Sequence, residues 1–226
     1  MLLQGAAETV RLTASMLALG AAVGLPFGVL HVYGPRIVRV AVLDPIVVFF
    51  RGIPSLVVMM IIYFGASEIG IELSGFLASI LAIGVRSGIY QSQIVRGAIQ
   101  SVGSGQMLAA RAIGLSKWRA IRFIVIPQAL RLALPPWSNE YAGVLKESSL
   151  AYALGVTELM RQGRYIVART FGNSLLVYTV CAAIYFVLVF VGIRILRRIE
   201  RRFSVPGFDT APQGRSFFGR DLESSR

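Results

Sequence analysis

Cysteine, histidine and acidic residues are scarce in this chain, and each shortage excludes a class of protein. Cys181 is the only cysteine among 226 residues, so no disulfide can form within the chain, and we expect it to be a small packing residue. His31 is the only histidine and has no neighbouring ligands in the sequence, which argues against a metal site. The phosphate-binding pattern GxxxxGKS or GxxxxGKT is also absent, so the chain is not expected to be an enzyme that hydrolyses ATP alone.

The charge is one-sided, with 23 Lys and Arg against 11 Asp and Glu. Such a balance can indicate nucleic-acid binding, but a hydrophobic fraction of 55% and a mean hydropathy of +0.68 are typical of a membrane protein. The basic residues lie between apolar runs, where they set the topology rather than bind nucleic acid. We therefore expect membrane lipid around the chain and no nucleic acid as a partner.

Two uncharged runs, Leu12 to Leu30 and Thr170 to Ile193, are long enough to cross a bilayer as helices. Weaker apolar patterns add three candidate spans. One of them contains Arg51 and another contains Arg86, and we expect these arginines to be interfacial or ion-paired. The predicted fold class is all-α, that of a polytopic membrane protein. Its transmembrane domain would cover residues 1–203 and contain five transmembrane helices, at about 9–32, 44–67, 73–95, 130–155 and 170–194.

Charge in the loops predicts the orientation, because cytoplasmic loops of membrane proteins are enriched in Lys and Arg. If the N-terminus is outside, the inner segment 96–131 has six basic and no acidic residues, and the first outer loop has Glu68 and Glu72. The outer loop 158–169, with three arginines, goes against the rule. We expect the N-terminus outside, the C-terminus in the cytoplasm, and a disordered cytoplasmic tail at 204–226.

Glycine and proline mark the first two spans. Gly20, Gly24 and Gly28 recur every four residues, so a neighbouring helix can approach closely on that face, most simply within the chain and alternatively in a dimer. Pro26 and Pro54 each release a backbone carbonyl, which predicts kinked helices around a central path.

The loop between the third and fourth spans predicts a short helix. Ser104 is expected to cap a helix over residues 105–113, with Arg111 in its last turn and Gly114 in the left-handed conformation that ends it. Its apolar surface is too short to span a membrane and too exposed to stay bare. Composition leaves two docking surfaces open, lipid headgroups and protein; for the basic segment 117–122 it favours lipid.

Ionisable residues in the fourth span predict a solute site, because a charge at membrane depth is costly unless it is paired or faces water. Asn139 and Lys146 are seven residues apart, as are Glu140 and Glu147, so each pair lies near one helix face. An amino acid needs an anion for its ammonium group and a cation or amides for its carboxylate. We predict Glu140, Asn139 and Lys146 as substrate contacts, with pairing to neighbouring helices as the alternative for Lys146 and Glu147.

Five motifs in a fixed order carry a specific resemblance over roughly residues 5–205. They are RGIP at 51–54, GIYQSQIVRGAI at 88–99, GQMLAARAIG at 105–114, IPQALRLALP at 126–135 and KESSL at 146–150. In this combination the chain resembles the permease subunits of ATP-binding cassette importers for polar amino acids. The resemblance implies the type I importer permease fold in a prokaryotic inner membrane.

The resemblance also implies partners. These would be a cytoplasmic ATPase dimer, a second permease subunit (homodimer or heterodimer), an extracytoplasmic solute-binding protein and a polar amino acid substrate. The ATPase would bind ATP and Mg, so this chain would have no cofactor of its own. The loop helix, about 104–114, would be the coupling helix seated on the ATPase. Its ATPase-coupling residues would be Gly105, Gln106, Met107, Leu108, Ala109, Ala110, Arg111 and Gly114.

Two positions depart from the pattern of the family that the chain resembles. Leu108 stands where the family usually has a glutamate before the paired alanines, and Gln93 stands where an acidic residue is common. The first change removes a polar contact to Arg111 or to the ATPase, which predicts an unusually apolar docking surface or the less typical half of a heterodimer.

Other functions stay open at the level of the sequence. A secondary carrier or channel would use membrane charges such as Glu140 for ion coupling, although no inverted repeat is visible. A non-transporting scaffold would show no solute dependence. Within the importers, an opine or an osmolyte is the nearest alternative substrate.

Overall fold

Helices make up nearly all of the computed structural model, which describes residues 1–170 and 173–203. The predicted tail at 204–226 therefore lies outside the described residues. In chain order the elements are α1 (Leu2–Tyr33), α2 (Arg36–Val38), a π-helical segment (Arg39–Leu43), α3 (Asp44–Gly52), α4 (Ser55–Glu68), α5 (Gly75–Ser101), α6 (Ser104–Ala112), α7 (Lys117–Ala120), a second π-helical segment (Ile121–Val125), α8 (Ile126–Glu147), a 3-10 segment (Ser148–Leu154), α9 (Leu159–Thr170) and α10 (Ser174–Phe203). The all-α prediction is confirmed.

Close packing of α1 against α5 forms the centre of the fold, and the glycine face of α1 makes it possible. Gly20, Gly24 and Gly28 are buried against α5. A Cβ at Gly24 would lie 2.6 Å from the carbonyl oxygen of Gly88 and 2.8 Å from Cβ of Gln91. The glycine face is thus used within the chain, as the sequence favoured, because only glycine lets the two backbones come this close.

Replacing Gly24 by alanine is expected to destabilise the protein. The added methyl group would force α1 away from α5, and overpacking of this kind typically costs about 1–3 kcal/mol. Gly65→Ala is the matched control, since a Cβ at this α4 position meets nothing within 4 Å and alanine is the better helix former. Thermal unfolding in detergent should show a lower midpoint for Gly24→Ala only; equal midpoints would contradict the packing argument.

The second predicted span, 44–67, contains the kink that Pro54 predicts and forms a bent pair of helices. α3 ends at Gly52, α4 begins at Ser55, and the helical stretches on the two sides of this break meet at 103°. Pro54 has no N–H to donate and disfavours a helical conformation at the residue before it, and Ile53 is accordingly extended at φ −108° and ψ 133°. In α1, by contrast, the chain stays helical through Pro26.

The predicted spans near the end of the chain also have different bounds in the structure. The fourth, 130–155, is helical as α8 only to Glu147 and continues as a 3-10 segment that ends at Gly155, where φ is +87°. The fifth begins at Ser174 and runs to Phe203. The loop predicted at 158–169 forms α9, whose first N–H groups bond the buried carboxylate of Glu158.

By length and apolar composition, two described helices can cross a membrane, Leu2–Tyr33 and Ser174–Arg202, and a third span results if the bent pair counts as one. α5 and α8, with 27 and 22 residues, are long but carry charged groups within their length. These charged groups of α5 and α8 form the candidate site.

Two apolar cores flank the charged region. The first core packs α1, α4, α5 and α8 around Leu12, Met16, Met59 and Ile83. The second core lies at the other end of α5, around Val95, Ile99 and Val125, and includes the side chain of Met107 from α6. The short loop helix is therefore attached to the same core that holds the ends of the long helices.

Candidate functional site

An ion pair joins α5 to α8 between the two cores. One guanidinium nitrogen of Arg86, Nη1, lies 2.9 and 2.8 Å from the two carboxylate oxygens of Glu147. Ser55 at the start of α4 donates a third hydrogen bond to Glu147 at 3.2 Å. The guanidinium group also lies 4.8 Å from the ring centre of Tyr90, where a cation is attracted to the aromatic face. The side chains of Arg86 and Glu147 are 19% and 28% exposed, so the pair is largely shielded from solvent.

A chain of hydrogen bonds runs beside this ion pair. Trp137 donates its indole N–H to the side-chain oxygen of Gln91 at 2.9 Å, and the amide of Gln91 donates to Ser87 at 3.0 Å. Ser87 in turn donates to the carboxylate of Glu140 at 2.7 Å. Gln91 and Ser87 are fully buried, and each of these polar groups has a partner, as burial requires.

Helix geometry explains why the two networks adjoin. Arg86 and Ser87 are neighbours on α5, and their acceptors Glu140 and Glu147 are seven residues, about two turns, apart on α8. Glu140 keeps a second carboxylate oxygen without a hydrogen bond among the described residues. The arrangement can therefore bind a cation at Glu140 beside a fixed positive guanidinium group.

Of the predicted substrate contacts, the structure brings only Glu140 into this cluster. Asn139 and Lys146 are exposed, and neither side chain makes a hydrogen bond or an ion pair within the described residues. Arg86 is ion-paired, as the sequence favoured, and Arg51 is exposed with its guanidinium group 5.6 Å from the Tyr90 ring centre.

Sequence reasoning missed Ser87, Gln91, Tyr90 and Trp137. Ser87 and Gln91 are four residues apart inside an apolar helix, which puts two polar side chains on one face and could have marked them as a pair. Trp137 gave no signal, because its role depends on meeting Gln91 across 46 residues of chain.

His31 lies in a second polar cluster and is 1% exposed. Nε2 of its ring is 2.9 Å from Asp44 and 3.1 Å from Nη1 of Arg96, and Nδ1 is 3.4 Å from the amide of Gln93. Gln93 thus stands beside a histidine that already has a carboxylate partner in Asp44. Within the described residues, no group of three or more His, Cys, Asp or Glu side chains has the arrangement of a metal site.

The loop helix α6 covers Ser104–Ala112, one residue earlier than predicted at each end. The expected cap at Ser104 is wrong: the capping position is Gly103, and no side chain caps the helix. The other end is as predicted, since Gly114 has φ +87°. There the N–H of Gly114 bonds the Arg111 carbonyl at 3.1 Å, which closes the helix with a glycine in the left-handed conformation.

α6 has one attached face and one open face. Ala110 is 3% exposed and Met107 packs on the second core, whereas Leu108 is 68% exposed. Arg111, which has no carboxylate at position 108 to meet, donates instead to the carbonyl of Leu115 at 2.9 Å. The open face therefore carries the apolar side chain of Leu108 beside exposed polar residues such as Gln106, and α6 is attached to the second core through Met107.

Comparison with known proteins places these features in a family. The family described as binding-protein-dependent transport system inner membrane component matches residues 18–205. The glutamine transport system permease protein GlnP of Escherichia coli K12 is 36% identical over 207 residues, covering 91% of this chain and 94% of GlnP. The octopine transport system permease protein OccQ of Rhizobium radiobacter is 39% identical over 164 residues, or 67% of this chain and 69% of OccQ.

Solved structures give the same result. A crystal structure of an amino acid ABC transporter with histidines matches with a TM-score of 0.80 and 31% identity, covering 89% of this chain and 93% of that chain. The inward-facing methionine transporter MetNI matches with a TM-score of 0.76 at 24% identity over 91% of this chain and 97% of that chain, which supports the fold alone. The chain therefore belongs to the inner membrane component family of binding-protein-dependent transport systems, the permease subunits of ABC importers, in which a separate partner carries the ATPase site.

Proposed function

We propose that this permease forms the translocation path of an ATP-driven importer for a polar amino acid. The observation that carries the proposal is the charged cluster of α5 and α8, in which Glu140 and Arg86 lie side by side between two apolar cores. Charged groups at membrane depth are costly unless they are paired or face water, and Glu140, unlike the ion-paired Arg86, keeps a carboxylate oxygen free for the ammonium group of a solute. Similarity to a glutamine permease supports this substrate class, and similarity to an octopine permease makes an opine the second candidate.

Glu140, Asn139 and Lys146 are the substrate contacts we propose. Glu140 would bind the ammonium group or a cationic side chain through its free carboxylate oxygen, and Lys146 and the Asn139 amide would bind the substrate carboxylate. The exposure of Asn139 and Lys146 supports this assignment, since side chains that lie open on α8 are available to a solute. The ion pair between Arg86 and Glu147 would hold α5 and α8 in register behind them.

The proposed topology has five spans within residues 1–203, with the N-terminus outside and the C-terminus and the tail 204–226 in the cytoplasm. The spans would be α1, the bent pair ending in α4, α5, α8 with its 3-10 segment, and α10. The lengths of α5 and α8 support two spans beyond those that hydropathy alone identifies. The absence of acidic residues between α5 and α8 supports a cytoplasmic position for α6.

We propose α6 and the turn after it as the coupling helix. Its exposed residues would contact a cytoplasmic ATPase dimer, which binds ATP and Mg, while a second permease subunit completes the path and an extracytoplasmic binding protein delivers the solute. The ATPase contacts would be Gly105, Gln106, Met107, Leu108, Ala109, Ala110, Arg111 and Gly114. Attachment to the second core supports this role, because only a rigid connection lets a movement of the ATPase favour one state of the path over another.

Uptake by the assembled transporter in proteoliposomes tests the proposal. Uptake of a labelled polar amino acid should require the binding protein outside and ATP inside, and should persist when ionophores dissipate the ion gradients. Uptake that survives without ATP but stops with the ionophores would contradict the importer and favour a secondary carrier.

Glu140→Gln tests the substrate site. The amide keeps the size of the side chain and an acceptor for Ser87, so we expect the protein to assemble normally. Loss of the charge should raise the KM for uptake roughly tenfold or more, the usual effect of removing a charged hydrogen-bond partner. Glu140→Asp should recover part of the affinity, and Glu200→Gln, at the far end of α10, should leave uptake unchanged. An unaltered KM in Glu140→Gln would remove Glu140 from the site.

A further inference from the structure

A groove between the last third of α1 and the start of α8 has no occupant within the described chain. It encloses about 530 Å³ and its side chains are almost entirely apolar. It begins at Leu25 and Pro26 of α1 and ends at Pro35, where Tyr33 and Trp118 carry its only polar side-chain atoms. Leu130 of α8 forms part of the opposite wall.

The groove has the length of one lipid leaflet. The helical part of the groove, Leu25 to Tyr33, advances by about 12 Å at 1.5 Å per residue, which is close to half of a hydrocarbon core of about 30 Å. Tyr33 and Trp118 lie at the same end, and tyrosine and tryptophan are the residues that concentrate at the boundary between lipid and water. The apolar end of the groove thus lies at a depth that a water-soluble protein does not reach.

Basic residues surround the aromatic end. Arg36 follows the lining residue Pro35, and Lys117 and Arg119 stand on both sides of Trp118. All three are exposed, and none forms an ion pair with a carboxylate of the described chain. Three unpaired cations at one end of a leaflet-long apolar groove match an acyl chain joined to an anionic headgroup.

We propose that this groove binds an anionic phospholipid from the leaflet on the side of α6 and α7. One acyl chain lies between α1 and α8, and the phosphate is bound by Arg36, Lys117 and Arg119. The site shares Val95, Ile99, Ala129 and Ala133 with the second core, to which α6 is attached. Bound lipid would therefore stabilise the end of the protein that carries the loop helix, whatever solute the transporter accepts.

Lipid retention by the full-length permease in nanodiscs of phosphatidylcholine with a minor fraction of phosphatidylglycerol tests the proposal. After transfer to detergent, native mass spectrometry should detect retained phosphatidylglycerol on the unmodified protein. The triple variant Arg36→Gln, Lys117→Gln, Arg119→Gln should lose this preference roughly tenfold or more, since each basic residue near the surface contributes to anionic lipid binding. The matched triple variant Arg197→Gln, Arg198→Gln, Arg202→Gln removes the same charge from α10 and should keep the preference.

Filling the groove gives an independent measurement that leaves every charge in place. Leu30 and Leu130 are 41% and 44% exposed, so tryptophan at either position should be tolerated by the fold while it displaces the acyl chain. Retention of phosphatidylglycerol should fall in these variants as well. Unchanged retention of phosphatidylglycerol in the groove variants or in the first triple variant would overturn the proposal. Crosslinks from Leu130→Cys to a second permease would also overturn it. So would co-purification of the ATPase that depends on the three cations if lipid retention does not depend on them.

Discussion

Gly114→Pro is expected to separate the permease from its ATPase while the protein still inserts into the membrane. Gly114 has φ +87°, a conformation that the proline ring cannot adopt, and its N–H bonds the carbonyl of Arg111 at 3.1 Å. Proline would therefore remove the turn that ends α6 and redirect the chain into α7. We expect uptake to be abolished and ATPase co-purification to fall to background, as with deletion of residues 105–113.

Gly70→Pro is the matched control for this experiment. Gly70 also has a positive φ, +78°, donates its N–H to Ser67 at 3.0 Å, and has open space where a Cβ would stand. Gly70→Pro therefore removes the same positive φ and the same kind of N–H hydrogen bond, but in the loop after α4, away from α6. Retained ATPase binding in Gly70→Pro together with loss in Gly114→Pro would assign the effect to the coupling helix, whereas normal ATPase co-purification with the deletion variant would refute that role.

The attachment of α6 to the second core is what would suit so short a helix to the proposed coupling role. A nine-residue helix is marginal on its own, but Ala110 and Met107 fix it to the second core and the Gly114 turn fixes its end. Leu108 enlarges the open apolar face at the position where related permeases were expected to carry a glutamate.

Features that depend on short stretches of sequence could be predicted. The long apolar runs of α1 and α10, the glycine face of α1 and the left-handed Gly114 each follow from a few neighbouring residues, and the structure contains them all. The break at Pro54 was also visible, because proline acts on its own backbone and on the residue before it. The size of the bend, 103° between the two helical stretches, could not be predicted, because packing around α3 and α4 decides the angle.

Features that depend on distant residues could not be predicted. The sequence indicated Glu140 as a costly charge, but it did not reveal that Ser87 donates to it or that Trp137 reaches Gln91 on another helix. The burial of His31 could not be predicted for the same reason, because it depends on Asp44 and residues of α5, which meet it only in the folded protein. Hydrophobic periodicity identifies the faces of helices, but not which polar groups meet across them.

Replacing only one residue of the ion pair between Arg86 and Glu147 should destabilise the protein, whereas replacing both residues together should be tolerated. Arg86→Met leaves the Glu147 carboxylate with only Ser55 as a partner, and Glu147→Leu leaves the guanidinium group largely shielded and unpaired. Breaking one side of a fully buried pair typically costs about 3–5 kcal/mol, and the cost here should be smaller because both side chains keep some exposure. Replacing both sides by apolar residues of similar volume is often neutral. We expect both single variants to unfold at clearly lower temperature and the double variant to recover most of the loss.

The pair formed by Glu8 and Arg11 on α1 supplies the control, because it is longer, 3.5 Å, and the arginine is 68% exposed. Its single and double substitutions should each change stability by less than about 1 kcal/mol. The same three variants of Arg86 and Glu147 also separate structure from transport, since the double variant restores packing without restoring charge. If it recovers both stability and uptake, the pair only joins α5 to α8; if it recovers stability alone, Arg86 or Glu147 also acts on the solute. Additive losses of stability in the double variant would contradict the pairing itself, because two residues that contact each other must show a coupling energy.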